Sequence, residues 1–544
     1  MDQERIHRLR WGTLAVLSVS LIILNLDSTI LNVALPTLVR DLHSTSSQLQ
    51  WIVDSYILVF AGLLLTGGSL GDRLGRKWVF MTGLALFGIG SIASAFSHSS
   101  DVLIATRAFM GIGGALAMPA TLSIITNVFV VPGERAKAIA IWSGSSGVGV
   151  ALGPILGGWL LSHFWWGSVF LVNGPVVVLG IIGAALVVPN SKDLKIPKPD
   201  PIGSLLSVAS LGTILWSIIE APTKGWTSNS ILTGFVVGAV LLATFIVVEL
   251  RSSHPMLRLS FFSNPRFSFA ALSIAISFFS LGGVSFLLTQ YLQFARGYTP
   301  LRAGVLFIPL AVALLIFAPV SARLAHLIGT KVTVAFGLTL GAVATLMMVG
   351  FTLGSSLWAI ELPLGILGLS IAFTMPPSAE AVMGSVPRTQ AGVGSATNGT
   401  LIQIGGALGV AVLGSVLSTD YGSSLSGSAI FRSVPRAVQL AAKSSLGSTL
   451  ITASHLPLAP AKALVVAGRA SFISGFSATI PIAVAVVFGG AIIALLALPS
   501  RHRGDPNVFI DDLPVVGGDG SSNSDVTNTV GGGSREVGGG KIVG

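Results

Sequence analysis

The amino-acid sequence predicts an all-α membrane protein in which two pseudo-symmetric six-helix bundles flank two inserted helices, fourteen spans in all. Three observations carry that expectation. The first is hydropathy: the 544 residues are 52% hydrophobic and only 10% charged, with mean hydropathy +0.84. A soluble chain carries roughly 25% charged residues. Apolar runs of about 20 residues, enough to cross a ~30 Å hydrocarbon core as helices, recur along the chain. The second is the segregation of basic residues into alternate connections. The third is a set of sequence features repeated at a spacing of about 256 residues.

The first apolar run follows Arg5, Arg8 and Arg10 and continues to about Ala34 with no small-x-small cleavage site. It is expected to be an uncleaved first helix rather than a signal peptide. The spans are expected at 12–34, 49–70, 78–96, 102–124, 137–161, 167–188, 202–220, 229–250, 267–290, 303–323, 332–352, 358–378, 393–418 and 472–498. They define an N-terminal six-helix bundle over 1–188, a linker with the two inserted helices over 189–265, and a C-terminal six-helix bundle over 266–498. The linker opens with the Lys/Pro-rich segment Asn190–Pro201, and a long outer loop is expected at 419–471. Within that loop Val438–Leu446 is amphipathic, suited to the membrane surface or to capping an outer vestibule. The Gly/Ser-rich tail 499–544 cannot bury enough apolar surface to order itself, and is expected to be disordered in the cytoplasm.

The net charge of +10 follows from topology rather than from nucleic-acid binding. With the N-terminus inside, the short cytoplasmic segments hold Arg73, Arg76, Lys77, Arg135, Lys137, Arg251, Arg258, Arg266, Arg323, Lys331 and Arg388 among others, whereas the short outer loops hold Arg40, Lys224, Arg296 and Arg302. This is the positive-inside bias, and it places both termini in the cytoplasm of a multi-pass protein of the cell (inner) membrane. The absence of cysteine excludes disulfides, thiolate metal sites and cysteine nucleophiles. No Walker A loop and no metal-ligand spacing is present. An enzyme is therefore not expected, nor a metal, nor a cofactor.

The repeat joins the two ends of the membrane region. Met110-Gly111 through Met118-Pro119 recurs as Leu367-Gly368 through Met375-Pro376, Gly75-Arg-Lys77 as Gly329-Thr-Lys331, and Ala151-Leu152-Gly153 as Ala407-Leu408-Gly409. Parallel halves related by an axis along the membrane normal, with a site between them, are a transporter architecture.

Four segments point to a family. Gly68-Ser-Leu-Gly-Asp72-Arg73-Leu-Gly75-Arg76-Lys77 packs four charges into six residues between two apolar runs. Leu103–Gly113 carries Arg107 within a span, where an arginine needs a partner, water or a route to the interface. Gly144 through Gly158 in the fifth span contains Gly149, Gly153, Pro154 and Gly157, small residues that let helices approach closely. Leu26-Asp27 through Pro36 places an acid in the first span. Together these resemble a fourteen-helix drug:proton antiporter of the major facilitator superfamily, a group of multidrug exporters for quaternary-ammonium and other lipophilic compounds, over about residues 12–500. Met110 stands where that family often has glutamine. The resemblance implies a major facilitator fold and a cytoplasmic gate latch of Asp72, Arg73, Arg76 and Lys77. It also implies an antiporter motif of Gly144, Gly149, Gly153, Pro154, Gly157 and Gly158; proton coupling through Asp27, Asp54 and Arg107 is read from their common depth.

At a rise of 1.5 Å per residue Asp27 is expected roughly 10 Å from the outer end of its helix, and Asp54 and Arg107 about five residues, or ~8 Å, from theirs, so the three depths agree. A buried carboxylate near a cation can hold either a proton or a cationic substrate, and each excludes the other. About 2.3 kcal/mol per charge per 100 mV and about 1.4 kcal/mol per pH unit would drive the exchange. Asp27 is expected to be the main proton carrier. Asp54 has an alternative role in the first turns of its helix, where Ser46 or Ser47 would be the cap. Trp142, Phe279, Phe286, Tyr291, Phe307 and Phe373, with Asn398 and Gln403 in the thirteenth helix, are candidates to line a substrate cavity. Glu220, Glu361 and Glu380 are expected to be interfacial. The expected function is proton-coupled export of amphipathic, cationic drugs or toxic compounds by a monomer in the bilayer. The alternatives are export of an endogenous lipid-like or metabolite substrate on the same fold, and a non-transporting membrane sensor.

Overall fold

The computed structural model describes residues 3–191, 200–252, 255, 258–386 and 391–499. The core of the Lys/Pro-rich linker (192–199) and the polar tail from 500 onward lie outside the described residues.

The N-terminal part comprises α1 (Gln3–Leu42), α2 (Ser46–Leu74), α3 (Arg76–Ala95), α4 (Ser100–Val128), α5 (Pro132–His163), the short α6 (Ser168–Leu171) and α7 (Asn173–Val187). A hairpin of α8 (Pro201–Lys224) and α9 (Asn229–Arg251) follows. The second bundle contains α10 (Pro265–Gln290), a π-helical turn over Tyr291–Ala295, α11 (Pro300–Val305), α12 (Ile308–Ile328), α13 (Thr330–Met347), α14 (Leu357–Gly384) and α15 (Ala391–Gly427). The short helices α16 (Ala429–Ser433), α17 (Arg436–Ser444) and α18 (Leu446–Ala453) lead into α19 (Leu458–Ala497). Thirteen helical segments among the described residues are long and apolar enough to cross a membrane. Helix α5, 32 residues long with an apolar stretch at Gly147–His163, supplies the fourteenth element.

Helix ends inside or near a bilayer need partners for their free N–H groups. Thr45 caps α2 through a reciprocal pair with Gln48, Ser99 accepts from Val102 N, and Ser356 accepts from Ala359 N. Thr45 is the α2 cap, not Ser46 or Ser47, because both serines already sit within the helix. The reversal between α2 and α3 passes through Gly75 at φ 117°, a conformation glycine reaches without a Cβ clash.

The two bundles repeat their packing. A Cβ on Gly83 would stand 2.6 Å from Ala117 N, joining α3 to α4; one on Gly337 would stand 2.9 Å from the Phe373 carbonyl carbon, joining α13 to α14. Gly149 and Gly153 bring α5 onto α1 at Ile22 and Thr29, as Gly405 and Gly409 bring α15 onto α10 at Ala275 and Phe279. The sequence repeat is therefore a repeat of helix–helix approach. Helices α8 and α9 pack on each other, and α8 contacts both α2 and α15, one helix from each bundle.

The largest departure from expectation is at 419–471, expected as a long outer loop and found mostly helical. Helix α15 runs on to Gly427 and α19 begins at Leu458. Hydropathy marks only the membrane-immersed part of a helix, so polar turns beyond the hydrocarbon were missed. The amphipathic stretch 438–446 falls largely in α17, which packs on α15: Tyr421 Oη donates to the Ala442 carbonyl at 3.2 Å.

Candidate functional site

Asp27 on α1 and Arg107 on α4 form a buried ion pair, 0% and 1% exposed. Arg107 Nη1 donates to Asp27 Oδ2 at 2.5 Å, and Arg107 Nε donates to the Ile52 carbonyl of α2 at 3.2 Å. The guanidinium lies 4.3 Å from the centre of the Tyr56 ring, a cation–π arrangement that strengthens when desolvated. Arg107 does not snorkel. Its neighbour Gly111 brings α4 against α2, where a Cβ would stand 2.7 Å from the Tyr56 carbonyl.

The other oxygen of Asp27 is also occupied. Asn173 Nδ2, at the start of α7, donates to Asp27 Oδ1 at 2.9 Å and lies 2.9 Å from Ser91 Oγ of α3. Ser91 Oγ donates in turn to the Phe170 carbonyl at 2.8 Å. Burying two charges is repaid only when geometry and further hydrogen bonds are good, and this network supplies both. It ties α1, α2, α3, α4 and α7 together through one carboxylate.

Asp54 does not join that cluster. It is fully buried, and neither carboxylate oxygen has a hydrogen-bond partner among the described residues. Residues four apart share a helix face, which puts Asp54 between Gln50 and Leu58. Gln50 Oε1 accepts from Ser415 Oγ of α15 at 3.2 Å. Leu58, with Ile57 and Ala61, lines an apolar pocket completed by Leu211, Ile214 and Leu215 of α8 and Ile404, Ala407 and Leu408 of α15. Asp54 therefore lies on the seam between the two bundles, whereas the Asp27–Arg107 pair lies within one of them.

The fifth-span glycines divide by face. Gly149, Gly153 and Gly157 meet α1, while Pro154 and Gly158 meet α11 across the seam: a Cβ on Gly158 would stand 2.7 Å from Leu301 Cα. Gly144 has open space around it. At this same end of the molecule Gln293 Nε2 donates to the Val33 carbonyl at 2.8 Å, and α18 enters at Gly447 between Val39 and Phe294. These contacts close the seam at the end carrying Leu42, Ser46 and His163.

At the opposite end, the loop charges bond within their own bundle. Arg76 Nε donates to Asp72 Oδ1 at 2.6 Å, and Lys77 Nζ donates to the Ala185 carbonyl of α7 at 2.8 Å. Arg73 is half-buried. Glu380 approaches His326 at 3.8 Å, whereas Glu220, next to the Ile219 carbonyl that accepts from Ser47 Oγ at the closed end, pairs with Lys224 at 3.6 Å.

The aromatic candidates do not converge on one cavity. Tyr291 is buried against Phe351 and Phe476 and donates to the Thr352 carbonyl at 2.6 Å, so it is a packing residue. Phe286 is 1% exposed, Phe373 packs on Phe317 and Phe336, and Phe279 and Phe307 are buried in the core. Trp142 Nε1 donates to Thr121 Oγ1 at 2.9 Å. Of the two amides on α15, Gln403 is half-buried and Asn398 Oδ1 is buried without a hydrogen-bond partner. Asn173, Ser91 and Tyr56 were missed from sequence. A lone asparagine in the apolar run Val172-Asn173-Gly-Pro-Val176 was the available signal. Among the described residues no group of three His, Cys, Asp or Glu is placed to hold a metal ion.

Comparison with known proteins follows the same geometry. The family model described as Major Facilitator Superfamily matches residues 17–410. The chain is 35% identical over 490 residues to the multidrug efflux pump LfrA of Mycolicibacterium smegmatis, covering 90% of this chain and 96% of the relative. It is 33% identical over 493 residues to the methyl viologen resistance protein SmvA of Salmonella typhimurium, covering 90% and 97%. In fold it is similar to a bacterial homologue of the human lysosomal transporter Spinster, solved inward-facing and unoccupied, at TM-score 0.59 and 18% identity, covering 90% of this chain and 98% of that one.

Proposed function

The chain belongs to the Major Facilitator Superfamily, and on that premise we propose that it is a proton-coupled antiporter exporting amphipathic cations by alternating access. The family consists of transporters rather than enzymes, and its drug transporters run on ion gradients without a cofactor. One observation carries the finer reading: Asp54 is a buried carboxylate on the inter-bundle seam, both oxygens lack a hydrogen-bond partner among the described residues, and an apolar pocket lies one turn away. A proton arriving at Asp27 must displace Arg107 or Asn173, whereas a proton or a cation arriving at Asp54 displaces no hydrogen-bond donor. Asp54 is then the exchange carboxylate, and the apolar wall of Leu58, Leu211, Leu215 and Leu408 beside it, too tightly closed here to hold a substrate, meets the lipophilic body of the cargo once the bundles part.

The Asp27–Arg107 joint has a different part. Protonating Asp27 releases Arg107 and loosens α1 from α4, which couples charge to the arrangement of the N-terminal bundle. The bundles over 1–188 and 266–498 rock about the seam, Pro154 and Gly158 bearing on α11 at one end and the Asp72–Lys77 loop latching the other. With the basic connections in the cytoplasm, both termini are cytoplasmic and the closed end faces outward. One chain supplies both halves, so a monomer suffices. Methyl viologen, for which one relative is named, is a bipyridinium dication, and its chemistry fits a carboxylate beside an apolar wall.

The test is substrate-induced proton release. Purified protein in proteoliposomes, given tetraphenylphosphonium at fixed pH, should release protons in the wild type and none in Asp54→Asn. Cation transport indifferent to the pH gradient would remove the antiport reading. The apolar pocket also favours a lipid-like cargo. Gradient-dependent movement of a lipid probe with none of the cation would select that alternative.

A further inference from the structure

Three arginines meet at the closed end of the bundle, and among the described residues none of them pairs with a carboxylate. Arg296, just past the π-helical turn, donates to the Ser355 carbonyl at 2.6 Å, to Tyr298 Oη at 2.7 Å and to Tyr291 Oη at 3.3 Å. The guanidinium carbons of Arg296 and Arg302 lie 5.2 Å and 4.1 Å from the centre of the same Tyr298 ring. Arg469 of α19 brings a terminal nitrogen to 4.0 Å from where a Cβ on Gly297 would stand. Its Nε is buried with no hydrogen-bond partner.

The ion pairs among the described residues involve Arg10, Arg76, Arg107, Lys224 and His326, and none of these three. Like charges around one ring repel, so their convergence needs an anion to offset it. The Arg296 side chain is already fixed by three hydrogen bonds. Among the described residues the exposed Arg302 guanidinium and the buried Arg469 Nε–H have no hydrogen-bond acceptor. Guanidinium forks match the oxygens of a phosphate group.

We propose that Arg296, Arg302 and Arg469 form a binding site for a phosphate anion, carried by a lipid headgroup or free in solution, against the turn 296–299. Arg302 and Arg469 supply the free donors and Arg296 sets the field. The site is independent of the cargo and of the Asp54 reading.

Native mass spectrometry of the detergent-purified full chain tests it, titrating phosphatidylglycerol, phosphatidylcholine and inorganic phosphate separately. Wild type should retain phosphatidylglycerol or inorganic phosphate saturably. Arg302→Gln with Arg469→Gln should weaken that binding about tenfold or more, the scale of losing hydrogen bonds to a charged group. Arg302→Lys, which keeps the charge and loses the fork, should bind more tightly than Arg302→Gln and less tightly than wild type, and Arg432→Gln, outside the cluster, should retain all of that binding. Saturation by phosphatidylglycerol alone names the lipid as the source, and saturation by inorganic phosphate names the free anion. Equal retention by wild type and the double variant, or an equal loss in Arg432→Gln, overturns the site. The thermal midpoint measured without anion shows that the double variant is folded, so loss of binding is separable from loss of structure.

Discussion

Replacing Asp27 by asparagine keeps the shape of the buried joint and removes its negative charge. Breaking a buried ion pair from one side costs about 3–5 kcal/mol, because the remaining charge is stranded. Here the loss is tempered. The amide oxygen still accepts a hydrogen bond, and Arg107 keeps the Ile52 carbonyl at 3.2 Å and the Tyr56 ring at 4.3 Å. A hydrogen bond to a charged group contributes about 1.5–3 kcal/mol, so the expected loss for Asp27→Asn is about 2 kcal/mol. Arg107→Met strands the Asp27 carboxylate with only Asn173 donating to it, and is expected to cost about 3–5 kcal/mol. The double variant leaves neither charge buried alone. Its loss should fall short of the sum of the two single losses by about 2 kcal/mol, well outside the ~0.5 kcal/mol expected of independent sites. Reversible unfolding in mixed micelles of increasing SDS fraction measures all four proteins. Additive losses within that margin would refute the argument that this pair holds α1 to α4.

Three further outcomes follow from the same contacts. Gly158→Leu places side-chain atoms where even a Cβ would stand 2.7 Å from Leu301 Cα and the Pro300 carbonyl oxygen, which should part α5 from α11. The chain has no cysteine, so Gln50→Cys can be labelled directly, and an impermeant maleimide should react several-fold faster in the Gly158→Leu background. Asn173→Ala removes one donor to Asp27 and should lower stability by about 1–3 kcal/mol in the same unfolding assay, whereas a loss below that range would mean the bond is incidental. Asp72→Asn breaks a half-buried i,i+4 pair and should cost less than about 1 kcal/mol of stability. Its transport rate in vesicles should nonetheless fall if the loop latches the gate.

The fold was legible because a bilayer imposes a simple rule: every span is an apolar run of fixed minimum length. Helix ends beyond the hydrocarbon obey no such rule, which is why α1 extends to Leu42 and α19 begins at Leu458 outside the expected limits. Distance to a helix end is likewise not depth in the bilayer. Asp27 is about 22 Å from the end of α1 at 1.5 Å per residue, yet it meets Arg107 only seven residues into α4, which begins at Ser100. Helices of unequal overhang share one level. Composition supported a pairing of acid and base, since each is too expensive to bury alone. It did not show which acid. Ser55 points at α4, donating to the Ile104 carbonyl at 3.1 Å, and its neighbour Asp54 is turned about 100° around the helix axis onto the seam. The aromatic candidates are dispersed for a related reason: ring type does not reveal which face of a helix a ring occupies.

The account turns on Asp54 as the carboxylate at which proton and cargo exclude each other. Ethidium uptake into everted vesicles energised by a pH gradient, compared between wild type and Asp54→Asn at matched protein level, tests it most directly. Uptake in the wild type that collapses with the gradient, and its absence in the variant, is the predicted result. Gradient-driven uptake by Asp54→Asn at the wild-type rate would contradict it.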